Sequence, residues 1–159
     1  MKTLFTNTIF IFLVRVFLGG IFVLASLDKL TDPQAFSISI LNYKVVGEHL
    51  AMLTATILPS LEFLCGVCLI LGLFPRTSSL LITVMLIGFT ILVISALIRG
   101  LDISCGCFTQ DPEASKIGYY KIMENAILIL LGVYLSAVQH YGFTILRFFS
   151  REEELPKNN

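Results

Sequence analysis

The stretch Ser78–Ile98, SSLLITVMLIGFTILVISALI, decides the fold, because it contains no charged side chain from its first residue to its last. A helix that crosses a membrane needs about 20 consecutive, mostly apolar residues. Hydrocarbon offers no partner for backbone amides, so a spanning segment must satisfy them internally, as a helix does. The stretch therefore predicts a transmembrane helix.

Three more apolar stretches of spanning length occur in the chain: Ile9–Leu27, Leu50–Phe74 and Tyr119–Val138. Of the 159 residues, 56% are hydrophobic and 14% are charged, whereas soluble domains carry about 25% charged residues. These features predict an all-α membrane four-helix bundle, a single domain at 1–149 followed by a polar C-terminal tail at 150–159. Asp32-Pro33 predicts that a short interfacial helix begins after the first span.

The sharpest chemical feature is the segment Cys105-Gly-Cys107, between the third and fourth stretches. Glycine between two cysteines permits a tight turn, and the small disulfide ring that results would be strained and readily reduced. A redox pair is therefore the first interpretation. The alternatives are that the two cysteines bind a metal, or that they are unrelated small apolar residues in a loop. Because neither His49 nor His140 adjoins a cysteine, we expect no metal.

A second pair, Cys65 and Cys68, has redox spacing inside the second predicted span. Residues three apart share one face of a helix, so the pair could relay electrons within the bilayer. The alternative is that both are small apolar residues of the helix core.

Arg15 and Glu62 lie within predicted spans, where ionisable side chains are costly and usually pair. We expect these two residues to face each other inside the bundle. The alternative is that Arg15 reaches the nearby interface and Glu62 is protonated. Asn125, with Lys121 and Glu124, adds polarity at the start of the fourth span, which solvation of the helix end explains as well as function does.

In order along the chain, several short elements resemble the MauE family, named for methylamine utilisation, within the broader DoxX-like membrane proteins. They are Arg15 with Leu18-Gly19; Asp28-Lys29-Leu30 with Asp32-Pro33 and Phe36; Asn42-Tyr43; Pro59 with Glu62; Gly72-Leu73 with Arg76; and Ile103-Ser104-Cys105-Gly-Cys107-Phe108. The resemblance implies a four-helix membrane protein that works with a thioredoxin-like protein or an exported thiol protein. The wider family is linked to thiol oxidation and quinone reduction, which makes a quinone the implied cofactor. Cys65 and Cys68 are not part of the family pattern.

These arguments predict a membrane thiol–disulfide redox protein that uses Cys105 and Cys107. The expected enzyme class is a quinone-linked thiol–disulfide oxidoreductase. The alternatives are a non-enzymatic membrane scaffold or maturation factor with a loop disulfide, and a small-solute transporter. The net charge is zero, with 11 basic and 11 acidic residues, so we expect no nucleic acid as partner. The apolar composition makes a lipid bilayer the expected surroundings. Basic residues divide evenly between the two sides and do not set the orientation. Because disulfides persist in oxidising compartments, we expect the cysteine loop in the periplasm and both termini in the cytoplasm, across a bacterial inner membrane.

Overall fold

The computed structural model describes residues 8–101 and 119–137, and within these ranges the chain forms five α-helices and no strand. The helices are α1 (Thr8–Thr31), α2 (Pro33–Asn42), α3 (Glu48–Leu71), α4 (Pro75–Ile98) and α5 (Tyr119–Ala137). All except α2 are long and apolar enough to cross a membrane. This confirms the predicted all-α bundle of four spans with a short helix after the first. The polar tail at 150–159 lies outside the described residues.

The short helix α2 begins where the sequence predicts. The side chain of Asp32 accepts a hydrogen bond from the backbone N–H of Ala35 at 2.9 Å, and Pro33 occupies the first helical position. Both choices suit a helix N-terminus, since the cap satisfies a free backbone donor and proline has none to leave unpaired. The cap thus separates the end of α1 at Thr31 from the start of α2 at Pro33.

Helices α3 and α4 end in the same way, each at a glycine with a left-handed backbone. Gly72 has φ of 75° and Gly100 has φ of 66°. After each glycine the chain folds back, so that Leu73 N–H donates to Cys68 O at 2.8 Å and Leu101 N–H donates to Ala96 O at 3.0 Å. Glycine adopts this conformation without steric cost. The second predicted span therefore ends at Leu71 rather than at Phe74.

The spans pack as an antiparallel bundle in which α1 contacts α3 most extensively and α4 contacts α5. Small residues set the α1–α3 distance, because a Cβ added to Gly19 would lie 2.8 Å from the carbonyl oxygen of Gly66. Between α4 and α5, Gly132 lies directly against Thr83. Such close backbone approach is typical of helices that associate in lipid. The apolar core between the spans contains Val14, Leu18, Phe22, Leu69, Ile82, Leu86, Leu128 and Leu135.

The outward faces of the spans are as apolar as the core. Leu24 is 70% exposed, Leu130 is 69% exposed and Ile98 is 81% exposed. Water would not tolerate contiguous apolar surface on this scale, whereas lipid solvates it. The chain is therefore an integral membrane protein.

Candidate functional site

A buried ion pair lies between α1 and α3. The ammonium group of Lys29 donates a hydrogen bond to the Glu62 carboxylate, with Nζ and Oε2 2.7 Å apart. Both residues are enclosed, with exposed fractions of 1% for Lys29 and 3% for Glu62. Neither water nor lipid headgroups reach the two charges inside the bundle, so the charges neutralise each other.

Two aromatic rings complete the surroundings of the Lys29 ammonium. Its Nζ lies 5.1 Å from the ring centroid of Phe36 on α2 and 5.3 Å from that of Phe89 on α4. Aromatic faces attract a cation, most strongly when water is excluded. Four helices thus contribute to the surroundings of the Lys29 ammonium, and Phe36 is buried beside it.

The predicted partner of Glu62 was Arg15, and this prediction is wrong. Arg15 is buried as expected, but its guanidinium lies against the end of α3, where a Cβ added to Gly72 would be 2.9 Å from Nη1. Gly72 is ten residues beyond Glu62, or about 15 Å along a helix. In this antiparallel pair, the α1 side chain that reaches Glu62 is Lys29. Arg15 instead places its positive charge at the negative C-terminal end of the α3 dipole.

Asn125 on α5 lies beside this ion pair and is 1% exposed. The interpretation of Asn125 as part of a solvated helix end is wrong, because its amide faces the interior. Asn125 and Glu62 line one small cavity of about 10 Å³ together with Phe22, Ala25, Met85, Leu86 and Phe89. We refer to Lys29, Glu62 and Asn125 together as the polar core.

A larger apolar pocket of about 260 Å³ adjoins the polar core. Met85 and Phe89 line both this pocket and the small cavity at Glu62. Its other walls come from α2, the α2–α3 connection, α3 and α4: Phe36, Ile40, Tyr43, Val45, Val46, Thr54, Leu58, Gly88 and Leu92. The hydroxyl of Thr54 donates to Leu50 O at 2.7 Å, so it is already occupied. The pocket can therefore accept an apolar or aromatic group.

The chain enters the cysteine segment at the same end of the bundle as this pocket. Arg99, just after α4, donates from Nη2 to the carbonyl oxygen of Tyr43 at 2.6 Å. Leu101 packs against the buried cluster that Tyr43, Val93 and Ala96 form. Burial raises the pKa of Tyr43 to about 12. Tyr43 thus joins the pocket wall to the start of the cysteine segment.

The four cysteines fall in different regions. Cys65 and Cys68 are free thiols on α3; Cys65 is buried in the apolar core and Cys68 is partly exposed. Neither lines the cavity at Glu62 or the apolar pocket, which favours the core interpretation over a relay. Cys105 and Cys107 lie outside the described residues, so their disulfide stays a prediction. In the described ranges, no three His, Cys, Asp or Glu side chains form a group that could hold a metal ion.

Sequence reasoning missed Lys29 as the partner of Glu62, although a signal was present. Leu18, Phe22 and Ala25 precede Lys29 at spacings of four and three residues, which places Lys29 on the core face of α1. The neighbouring Asp28 suggested that the span had already ended. The helix in fact continues to Thr31.

Comparison with known proteins gives relatives of one kind. MauE of Paracoccus denitrificans, a methylamine utilization protein, is 25% identical over 121 residues, which is 76% of this chain and 64% of the relative. MauE of Methylophilus methylotrophus is 24% identical over 124 residues, 77% of this chain and 65% of the relative. The chain thus spans less than two thirds of the length of either relative. No solved structure matches it. The sequence model of the family described as methylamine utilisation protein MauE matches residues 7–138, which is most of the chain, and the chain therefore belongs to the MauE family.

Proposed function

We propose that this chain is a membrane thiol–disulfide redox protein that exchanges electrons between a thiol protein and a membrane quinone through Cys105 and Cys107. The observation that carries the proposal is that the apolar pocket lies toward the end of the bundle where the chain leaves α4 in the direction of Cys105. Leu101 packs against the cluster formed by Tyr43, Val93 and Ala96, and Tyr43 lines the pocket. A lipid-soluble oxidant in the pocket would therefore lie near the two thiols.

The distance between pocket and thiols is limited by the covalent chain. Cys105 follows Leu101 by four residues, and an extended chain advances at most about 3.6 Å per residue. The Cα atoms of Cys105 and Leu101 are therefore separated by no more than about 14 Å. The pocket volume of about 260 Å³ is close to the lower end of small-molecule sites, which suits a single substituted ring with its tail in lipid.

The reaction balances without any further reagent. In the oxidising direction, a thiolate of the partner attacks the Cys105–Cys107 disulfide and forms a mixed disulfide. The partner's second thiolate breaks that bond, leaving the partner oxidised and both loop cysteines reduced. The quinone then takes two electrons and two protons from the two thiols, becomes a quinol and regenerates the disulfide. The reducing direction uses the same bonds in reverse.

The relatives' names supply the biological setting of the proposal. Both are methylamine utilization proteins, and we propose that this chain serves the same process by forming or exchanging disulfides in an exported protein, directly or through a thioredoxin-like protein. That role requires an oxidising compartment. We therefore propose that the cysteine loop faces the periplasm from a bacterial inner membrane, with both termini in the cytoplasm.

Turnover by the purified protein tests this function. The full chain in lipid nanodiscs is mixed with reduced thioredoxin and a short-chain benzoquinone, and quinol formation is followed by absorbance. We expect Cys105→Ser and Cys107→Ser each to lower the rate at least 100-fold. The matched controls Cys65→Ser and Cys68→Ser should retain most of it. Unchanged turnover in the loop variants would refute the mechanism, and a loop disulfide that resists thioredoxin would favour the scaffold alternative.

A second variant tests whether the quinone occupies the apolar pocket. Gly88 lines the pocket, and a Cβ added there meets no atom within 4 Å. A leucine at this position would therefore project into open space without disturbing helix packing. We expect Gly88→Leu to raise the KM for the quinone several-fold and to leave the KM for thioredoxin unchanged. Gly20→Leu, also in open space but on α1, is the control. Equal quinone KM values in the two variants would exclude this pocket.

A further inference from the structure

The amide of Asn125 has an unusual position. The residue is 1% exposed, and neither Nδ2 nor Oδ1 has a hydrogen-bond partner among the residues that the structure describes. A buried amide without partners is strongly unfavourable, and nearly all such groups in folded proteins are paired with protein atoms or ordered water. Since the described protein atoms do not pair with it, a molecule that fits the space beside the amide would supply its partners.

That space is the small cavity between Asn125 and Glu62. Its volume is about 10 Å³, and apart from these two residues its walls are apolar. A cavity needs about 10–15 Å³, measured in this way, to hold one water molecule, together with two to four polar partners. The cavity therefore has the minimum size for one water and too little room for any larger ligand.

We propose that this cavity is a binding site for a single water molecule that joins Asn125 to the Glu62 carboxylate. The water accepts a hydrogen bond from Nδ2, donates one to Oδ1 of the same amide, and donates its second proton to Glu62. This gives three hydrogen bonds, the usual number for a buried water. A carboxylate can accept several hydrogen bonds, so Glu62 can bind Lys29 and the water at once.

Charge excludes ions from the same site. The Lys29 ammonium, 2.7 Å from Glu62, already neutralises the carboxylate, so a metal cation would bring an uncompensated positive charge into the bundle. An anion would likewise bring an uncompensated negative charge into the bundle. A neutral molecule that both donates and accepts hydrogen bonds remains, and water is the one of this size.

The bound water extends the ion pair into a chain that crosses the bundle: Lys29 on α1, Glu62 on α3, the water, and Asn125 on α5. Apart from this chain, the contact of α5 with the rest of the bundle is mainly apolar packing against α4 and α1. The water thus gives α5 a directional attachment to the polar core, and it gives Glu62 a neighbour that can donate a proton.

Two measurements on the full chain test the proposal. The first is an experimental structure in lipid at a resolution that shows ordered water, where one density peak within hydrogen-bonding distance of both side chains is expected. An empty cavity would overturn the proposal. The second compares Asn125→Ser with Asn125→Ala, two variants that both enlarge the site. In a hydrated site the serine hydroxyl can bond to water, so Asn125→Ser should melt about 2–4 °C above Asn125→Ala. If Asn125→Ala were equally or more stable, the site would be dry.

Discussion

Lys29 and Glu62 each have a charge that hydrocarbon cannot solvate. Their separation of 2.7 Å, and exposed side-chain fractions of 1% and 4%, mean that each depends almost entirely on the other. Desolvating two charges costs about as much as their attraction returns, so the intact pair adds little net stability. Removing only one partner is different, because it leaves an uncompensated charge inside the bundle.

This asymmetry gives a double-mutant prediction. Lys29→Met and Glu62→Met should each lower the free energy of unfolding by about 3–5 kcal/mol. The double variant Lys29→Met/Glu62→Met has no buried charge and should recover most of that loss. Equilibrium unfolding of the four proteins in the same detergent gives the coupling free energy. Additive effects of the two substitutions would contradict the pairing.

Lys121 and Glu124 supply the matched control. They form an i,i+3 ion pair of similar length, 2.9 Å, but the Glu124 side chain is 38% exposed. Water and salt screen such a pair, and its contribution is typically between 0 and 1 kcal/mol. Lys121→Met and Glu124→Met should therefore have small effects in the same assay, which separates the cost of losing a buried partner from the general cost of replacing a charge.

Among the elements, α1 and α3 are held together by the contact between Gly19 and Gly66. A Cβ on Gly19 would lie 2.7 Å from Cγ1 of Ile70, and a Cβ on Gly66 would lie 2.9 Å from the carbonyl oxygen of Gly19. Backbone cannot move aside as a flexible side chain can. We expect Gly19→Ala and Gly66→Ala each to reduce stability by about 1–3 kcal/mol, the usual cost of overpacking, measured as a lower melting temperature in detergent.

The adjacent glycine provides a direct comparison for this prediction. A Cβ at Gly20 meets no atom within 4 Å, and alanine is the better helix former by about 1 kcal/mol. Gly20→Ala should therefore be neutral or slightly stabilising. If Gly19→Ala and Gly20→Ala had the same effect, close packing of α1 on α3 would not be what requires glycine at position 19.

Helices could be predicted from the sequence because their signals are local. Uncharged runs such as Ser78–Ile98 predict spans directly, and Asp32-Pro33 marks the start of α2 through a cap and a proline within a few residues. Helix ends were less accurate where three-dimensional contacts extend a helix. The charges of Asp28 and Lys29 ended the predicted first span at Leu27, yet α1 continues to Thr31, since the Lys29 charge is paired inside the bundle.

The polar core could be predicted only in part, because pairing depends on the register between distant segments. Burial of Glu62 followed from its place in an apolar span, but its partner lies 33 residues away in sequence. Hydropathy carries no information on whether residue 15 or residue 29 of α1 lies opposite residue 62. The close approach of Gly19 and Gly66 sets that register. The burial of Asn125 depends in the same way on how α5 packs against α1 and α4.

At the scale of the whole molecule, the antiparallel bundle has two distinct ends. The α2–α3 connection and the end of α4 share one end, since Arg99 donates a hydrogen bond to Tyr43. The turn at Gly72–Phe74 between α3 and α4 lies at the other, about 36 Å away along the 24 residues of α3. The proposed redox chemistry assigns the first end to the oxidising side of the membrane.

Labelling of single cysteines tests that assignment. Glu48 and Thr77 are both exposed and lie in the first turns of α3 and α4, at opposite ends of the bundle. Glu48→Cys and Thr77→Cys are introduced separately into a chain whose four native cysteines are serine. An impermeant maleimide is then added to intact bacterial cells in which the outer membrane is permeabilised. We expect position 48 to react at once and position 77 only after the inner membrane is opened. The opposite pattern would place the cysteine segment in the reducing cytoplasm, where the strained disulfide would not persist, and would contradict the proposed direction of exchange. Reaction of both positions from outside would contradict the bundle itself, because a membrane-spanning α3 must separate them.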